Sequence, residues 1–177
     1  MMLLQLSAAQ GPDECCLAVS KALEVLRKEA ARAGVALSVT EEERGPRDGT
    51  LCSVLVSLDG EGAPPLAQRW CGTLQWICES PYRQRYPRKN WFIGAALFAP
   101  VRELPAGDIR FEALRASGPG GQHANKKLAT LLIAHKLEAQ REAHSAGQKA
   151  QRRLFHHQIA RGNPTRCFKG IDFTPVK

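Results

Sequence analysis

The sequence lacks any long run of apolar residues, and this absence bears on where the protein works. Its longest apolar stretch, WFIGAALFA at 91–99, is half as long as the roughly 18 residues that a membrane-spanning helix requires. The first residues, MMLLQL, are apolar but have no basic residue before them, so they predict a first strand rather than a signal peptide. We therefore expect a cytoplasmic protein with no membrane partner.

Cysteine and histidine patterns typical of a metal site are also missing. None of the six cysteines forms a C-x-x-C pair, and the adjacent Cys15 and Cys16 suit neither a mutual disulfide nor a shared metal ion. His156 and His157 are adjacent as well and would point apart on a helix, so zinc binding is not expected. The thiols are expected to be reduced and packed mostly as small core residues.

Acidic residues become scarce in the last third of the chain. Residues 1–108 contain 12 Lys and Arg against 13 Asp and Glu, whereas residues 109–177 contain 13 against 4. The formal net charge of +8 therefore comes entirely from the second segment. Such asymmetry favours a polyanionic partner, and nucleic acid is the commonest one.

The first 108 residues show the alternating patterns of a mixed α and β domain. Apolar residues at steps of three and four predict a helix over 11–34, with Pro12 at its first position and Gly34 at its end. Alternating or continuous apolar runs predict strands on either side of it. The predicted order, strand, helix, strand, strand, short helix, strand, strand, is typical of an α+β fold built as a two-layer α/β sandwich.

A division into domains follows from the same patterns. We predict the sandwich domain at 1–108, a glycine loop with a long basic helix at 109–162, and a strand at 163–177 that returns to the first domain. Helical spacing runs from 124 onward, with Gly147 as a weak point. A further strand is expected at 109–115.

The stretch RASGPGGQHANKK, at 115–127, allows three interpretations. Its glycines can simply turn the chain between a strand and a helix, because glycine adopts positive φ freely. A phosphate-binding loop is disfavoured, because neither G-x-G-x-x-G nor G-x-x-x-x-G-K fits the spacing. The third interpretation is catalytic: a backbone without side chains enters a narrow space, and its N–H groups stabilise an oxyanion, each such donor contributing about 3 kcal/mol.

The motif GPGGQH resembles the GGQ signature of class I peptide chain release factors. The whole chain resembles the short bacterial homologues known as peptide chain release factor H, most clearly in CGTLQWICESPYR, RKNWF, RASGPGGQH and QRRLFHHQIARGNP. The resemblance implies hydrolysis of peptidyl-tRNA on the ribosome, in translation termination or ribosome rescue. Gly120, Gly121 and Gln122 would be the catalytic motif, and the Gln122 side chain a site of methylation. Ribosomal RNA and peptidyl-tRNA are the implied partners, an RNA ligase is an implied functional link, and no cofactor or metal is implied.

The chain departs from that family just after the motif. Family members follow GGQH with an Asn-Lys-Thr segment and two strands before a second Gln-x-x-Asn-Lys box opens the long helix, whereas here a single GGQHANKKLA serves as both boxes. Our hypothesis is an in-frame loss of a few tens of residues, leaving a truncated GGQ domain with weakened or absent hydrolysis. The family's Pro-x-Thr and Ser-Pro-Phe stop-codon motifs have no match either.

Basic residues next to tyrosines mark a second candidate site. The segment PYRQRYPRKN, at 81–90, predicts RNA contact because arginine and tyrosine both stack on bases, although a solvated basic loop is the plainer alternative. A protein that binds RNA or ribosomes without hydrolytic activity is therefore the second function considered. The side chains predicted to bind RNA are Arg83, Arg85, Arg88, Lys89, Arg115, Lys126, Lys127, Arg152, Arg153, Arg161 and Arg166.

Overall fold

A computed structural model describes residues 1–99, 122–157, 159 and 162–176 of the chain. Two compact units divide it, Met1–Pro100 with Arg152–Lys177 as the first and Val101–Gln151 as the second. The helices and strands are β1 Met2–Ser7, α1 Asp13–Arg32, β2 Ala36–Arg44, β3 Leu51–Asp59, α2 Ala63–Trp70, β4 Gly72–Ile77, β5 Asn90–Phe98, α3 Gln122–His157, β6 Arg166–Lys169 and β7 Thr174–Pro175.

The described strands form one sheet in the order β2-β3-β1-β5-β4-β6-β7. Neighbouring strands run antiparallel except β4 and β6, which are parallel. The N-terminal strand β1 therefore lies inside the sheet, between β3 and β5, and strands β6 and β7 extend the sheet beyond β4. The mixture of helices and strands confirms the predicted α+β class.

One face of the sheet forms the main core with α1 and α2. Alternate residues of each strand point to this face, because successive side chains of a strand lie on opposite sides. Their exclusion from water supplies the main stabilisation of the fold. The largest fully buried side chains of this core are Trp70, Trp76, Trp91, Phe168, Leu4, Leu6, Leu26, Leu58, Leu74 and Ile93.

On the opposite face of the sheet, β5 contacts Phe155, near the end of α3, and Ile159. A Cβ added to Gly94 of β5 would lie 2.7 Å from side-chain carbons of Ile159 and 2.9 Å from Phe155. The Phe155 ring also meets Phe98 edge to face, with centroids 6.3 Å apart. Glycine at 94 thus lets Phe155 and Ile159 approach the sheet closely, and the sequence patterns do not predict this contact.

Some boundaries differ from the sequence prediction. Pro12 is the N-cap of α1 and not its first helical residue. Strand β2 extends through the exposed acidic residues 41–43 to Arg44, because pairing with β3 continues past two register shifts. Helix α3 passes Gly147 without a break.

The predicted domain boundary after 108 and the predicted strand at 109–115 fall outside the described residues and stay predictions. Within the described parts of the chain, no helix combines the length and apolarity needed to cross a membrane.

Candidate nucleic-acid interface

The segment 79–89 connects β4 to β5 and contains most of the described arginines that were predicted to bind RNA; we call it the basic loop. It follows Ile77, the last residue of β4, and leads to Asn90, the first of β5. Two tethers hold it against the N-terminal turn of α1.

The first tether is the buried carboxylate of Glu14, whose side chain is 1% exposed. Its Oε1 accepts hydrogen bonds from Ser80 Oγ at 2.6 Å and from Arg83 Nε at 2.8 Å. Ser80 Oγ in turn accepts the backbone N–H groups of Tyr82 at 3.2 Å and Arg83 at 3.0 Å. The carboxylate therefore fixes both a side chain and, through the serine, the turn of the loop backbone.

Glu14 is ionised in this setting. Burial alone would raise its pKa, but the hydrogen bonds from Arg83 and Ser80 and the charge of Arg83 outweigh burial, so its pKa lies below the ordinary value. The Glu14 carboxylate likewise raises the pKa of the Arg83 guanidinium. The ion pair is thus present throughout the neutral range.

The second tether joins Asp13 to Tyr82 through Arg47. Arg47 Nε donates to Asp13 Oδ2 at 2.8 Å, and the guanidinium carbon lies 4.1 Å from the centre of the Tyr82 ring. The side chains of Arg47 and Asp13 are both partly exposed, so this ion pair stabilises the loop less than the contacts at Glu14 do.

Aromatic rings stack with two of the loop arginines. The guanidinium of Arg83 lies 3.7 Å from the centre of the Tyr86 ring, which stacks on Trp91 of β5 at 6.3 Å and 12°. Arg88 lies 4.8 Å from the Trp91 ring and donates its Nε–H to Asn90 O at 3.0 Å. Both planar cations are therefore occupied within the protein, since stacking on aromatic faces is a favoured arginine contact.

Unlike Arg83 and Arg88, neither Arg85 nor Lys89 lies over an aromatic ring of the described residues. Together with Arg83 and other loop residues they line an open recess of about 590 Å³, a size within the range of small-ligand sites, about 300–1,000 Å³. Lys89 forms an exposed ion pair at 3.3 Å with Glu79, which is 83% exposed. Arg85 has a φ of 55°, the left-handed conformation that residues other than glycine seldom adopt. The recess thus presents cationic groups to solvent.

Arg152 and Arg166, both predicted to bind RNA, are engaged in ion pairs. Arg152 donates to Glu41 at 2.9 Å and is 13% exposed. Arg166 donates from both terminal nitrogens to Glu29, at 2.8 and 3.0 Å, and is 19% exposed. Both pairs join distant parts of the chain, so their observed role is structural; an RNA contact by either stays a prediction.

The remaining predicted site residues can be placed only in part. Gln122 is the first residue of that helix. The side chains of Gln122, Lys126, Lys127 and Arg153 and the whole of Gly120, Gly121, Arg115 and Arg161 lie outside the described residues, and the roles predicted for them stay predictions.

Sequence reasoning missed the residues that shape the basic loop, above all Glu14. The helix pattern alone indicates for that residue only a favourable charge at the positive end of α1. A signal was present, because Glu14, Ala18, Ala22 and Leu26 follow one another at steps of four and all are buried. A carboxylate on an apolar stripe requires a cationic partner.

The arrangement of α1, α2 and the sheet matches a known fold. The structure superposes on release factor 2 of Thermus thermophilus with a TM-score of 0.55, covering 95% of this chain and 57% of that chain at 22% sequence identity. At that identity the likeness concerns the fold alone. The protein has the α+β fold of a peptide chain release factor.

Sequence comparison then gives the family. The chain is 51% identical to the peptide chain release factor homolog of Escherichia coli strain ATCC 25922 over 98% of either chain, and it belongs to this family of release factor homologues. It is 28% identical to peptide chain release factor 2 of Acidovorax sp. strain JS42 over 75% of its length, but it spans only 37% of that protein. No family model matches the chain.

The alignment with the Escherichia coli homolog contains more positions than this chain has residues. It extends over 201 residues and takes in 98% of the 177 residues, which is about 173. Roughly 28 alignment positions, 201 less 173, therefore have no residue of this chain. That number agrees with the hypothesised loss of a few tens of residues.

Proposed function

We propose that this release factor homologue binds the bacterial ribosome and promotes hydrolysis of the ester bond between the nascent peptide and tRNA. The observation that carries the proposal is the 51% identity to a release factor homolog over 98% of both chains. The sequence GPGGQH at 118–123 supports it, because this is the part of the chain suited to approach a reacting ester. A protein that works on the bacterial ribosome is cytoplasmic, and this location is part of the proposal.

The start of α3 at Gln122 suits the chemistry proposed for the motif. The first four N–H groups of an α-helix have no acceptor within the helix. The N–H of Gln122 is one of these, since α3 begins there. Such a donor can stabilise the oxyanion that forms when water attacks the ester carbonyl, and one donor of this kind typically contributes about 3 kcal/mol. The side-chain amide of Gln122 is neutral, so it would orient the attacking water rather than remove a proton from it.

We further propose that the loss of residues falls between the motif and α3 and lowers the rate of hydrolysis. The alignment gap and the single GGQHANKKLA box support this location. A catalytic N–H at the end of a 36-residue helix has less freedom to reach its target than one on a separate loop. Misplacement by about 1 Å can lower a rate a hundredfold.

A peptide-release assay on ribosomes that carry a defined peptidyl-tRNA tests the proposal. The protein should release peptide above the background of spontaneous hydrolysis, and Gln122→Ala or Gly121→Ala should abolish the release while ribosome binding persists. A variant with about 28 residues of the Escherichia coli homolog restored after His123 should be faster. Equal rates for the restored and present chains would contradict the proposed effect of the shortening.

A protein that binds ribosomal RNA without hydrolysis is the second candidate. The observation in its favour is the basic loop, whose tethers form entirely within the first compact unit and do not involve the glycine motif. Salt-sensitive ribosome binding with no peptide release, even in the restored variant, would favour this function. Methylation of Gln122 and a link to an RNA ligase stay predictions.

A further inference from the structure

We propose that Glu14 is a positioning residue for RNA binding by the basic loop, and that Arg85 and Lys89 are the loop cations that contact RNA phosphates. This inference rests on the proposed ribosome binding and assigns its parts. Glu14 would act through Arg83 and Ser80, without touching the RNA. Of the four loop cations, Arg85 and Lys89 would contact RNA, whereas Arg83 and Arg88 would hold the loop in its conformation.

The contacts at Glu14 support a positioning role. The carboxylate is buried, and its two donors, Ser80 and Arg83, both belong to the basic loop. Ser80 carries the constraint to the backbone by accepting two loop N–H groups. With the Arg83 guanidinium held between Glu14 and the Tyr86 ring, the loop backbone that leads to Arg85 is fixed at Arg83, and Arg85 lines the recess beside it.

The conformation of Arg85 supports the division of roles. A left-handed backbone at an arginine is unfavourable and persists only where the surrounding contacts impose it. The contacts that hold the loop around this turn include those of Ser80 and Arg83 to Glu14 and the stacking of Tyr86 on Trp91. Arg83, Arg85 and Lys89 all line the open recess, but the Arg83 guanidinium is held by Glu14 and Tyr86 and that of Arg88 lies over Trp91.

The proposal predicts an effect opposite in sign to simple electrostatics. Removing a negative charge near a polyanion-binding surface should tighten RNA binding if charge alone matters. Glu14→Gln should instead weaken it, because the loop would populate its binding conformation less often, and apparent affinity falls with that fraction. A fall of the competent fraction to a tenth weakens binding about tenfold. Glu79→Gln is the matched control: it removes an exposed carboxylate of the same loop and should tighten binding.

The salt dependence of binding separates phosphate contacts from positioning. The probes are bacterial 70S ribosomes and a single-stranded RNA oligonucleotide, each titrated with the full chain between about 50 and 200 mM salt. Removing one phosphate contact lowers the slope of log affinity against log salt by about 0.7 to 0.9. Arg85→Gln should lower the slope by this amount, whereas Glu14→Gln and Arg83→Gln should weaken binding with the slope unchanged.

A double variant tests whether Glu14 acts through Arg83. Glu14→Gln combined with Arg83→Gln should bind no more weakly than either single variant, because both changes release the same tether. Additive charge effects would instead return the double variant to near wild-type affinity. Ser80→Ala, which changes no charge, should also weaken binding at constant slope and serves if Glu14→Gln does not fold, as judged by circular dichroism.

The outcomes distinguish this inference from the proposed function. If the wild-type chain binds and Glu14→Gln and Ser80→Ala bind equally well or more tightly, the inference is overturned but the proposed function is not. An unchanged slope for Arg85→Gln overturns the assignment of that phosphate contact. Failure of the wild-type chain to bind either probe overturns the proposed function, and the inference with it.

Discussion

Glu29 of α1 joins three parts of the chain at one carboxylate. It accepts the indole N–H of Trp70 at 2.7 Å, both terminal nitrogens of Arg166 at 2.8 and 3.0 Å, and Arg69 at 3.2 Å. The Arg166 guanidinium also lies over the rings of Trp70 and Phe168, at 4.7 and 4.9 Å. This contact ties the returning strand β6 to both helices of the core.

Replacing Glu29 with Gln should destabilise the fold substantially. Removing one partner of a buried ion pair typically costs about 3–5 kcal/mol. Glu29 and Arg166 are 15% and 19% exposed, so water relieves part of that penalty and we expect a loss of about 2–4 kcal/mol. For a domain of about 150–250 residues, this corresponds to a fall in Tm of about 2–4 °C for each kcal/mol.

The measurement is urea unfolding followed by tryptophan fluorescence, with Glu24→Gln as the control. Glu24 is exposed on the same helix, so its replacement should change the free energy of unfolding by less than about 0.5 kcal/mol. A loss below about 1 kcal/mol for Glu29→Gln, with an unchanged m-value, would refute the reasoning, because the pair would then contribute no more than an exposed one.

The pH dependence provides a second check on Glu29. Burial acts to raise its pKa, but the hydrogen bonds from Arg166 and Trp70 and the charges of Arg166 and Arg69 lower it overall, below the ordinary 4.5. A carboxyl group with a lowered pKa contributes its stability fully above the ordinary pKa and loses it as the pH falls through the folded value. The difference between wild type and Glu29→Gln should therefore be constant from neutral pH to about 5 and shrink in more acidic solution.

Two further changes test other features of the fold. Gly94→Ala should lower stability by about 1–3 kcal/mol in the same urea assay, because the new Cβ would overlap Ile159 and Phe155. Gly147→Ala should raise helix content, because alanine favours helix and the new Cβ would meet no other part of the described chain within 4 Å. A loss of stability for Gly147→Ala would contradict the description of α3. Burial and the neighbouring Cys52 raise the pKa of Cys16 to about 12. Iodoacetamide at a pH of about 8 should therefore label Cys16 only after unfolding. Peptide mapping that found Cys16 modified in the folded protein would contradict this prediction.

The sequence predicted those parts of the fold that depend on neighbours along the chain. The stripe of α1 and the alternation in β4 can be recognised locally, because the periods of about 3.6 and 2 are set by the backbone itself, and the apolar run of β5 is visible in the same way. The glycine motif and the basic loop were likewise visible as short patterns. These features were enough to reach the α+β class and the release factor family.

The parts that could not be predicted depend on distant partners. Glu14 meets Arg83 across 69 residues, and Glu29 meets Arg166 across 137. No periodicity distinguishes Arg166, held in an ion pair, from Arg85, which lines the recess, since the two carry the same charge in similarly basic segments. The close approach at Gly94 was hidden for the same reason, because a glycine within a strand shows only that something approaches and not which residue does.

The sheet is completed by a strand that follows a long segment outside the first unit; we call this segment, Val101–Gln151, the excursion. Strand β6 is added beside β4 only after Val101–Gln151 has left the first unit and Arg152–Lys177 has rejoined it. The entropy of closing such an excursion changes slowly with its length, and about 30 residues more or fewer would alter it by roughly 0.4 kcal/mol. The first unit can therefore stay folded while the excursion is shortened, lengthened or exchanged. Under the proposed function, a loss of residues near the glycine motif would shorten its reach and leave the contacts of the basic loop, which lie in the first unit, unchanged.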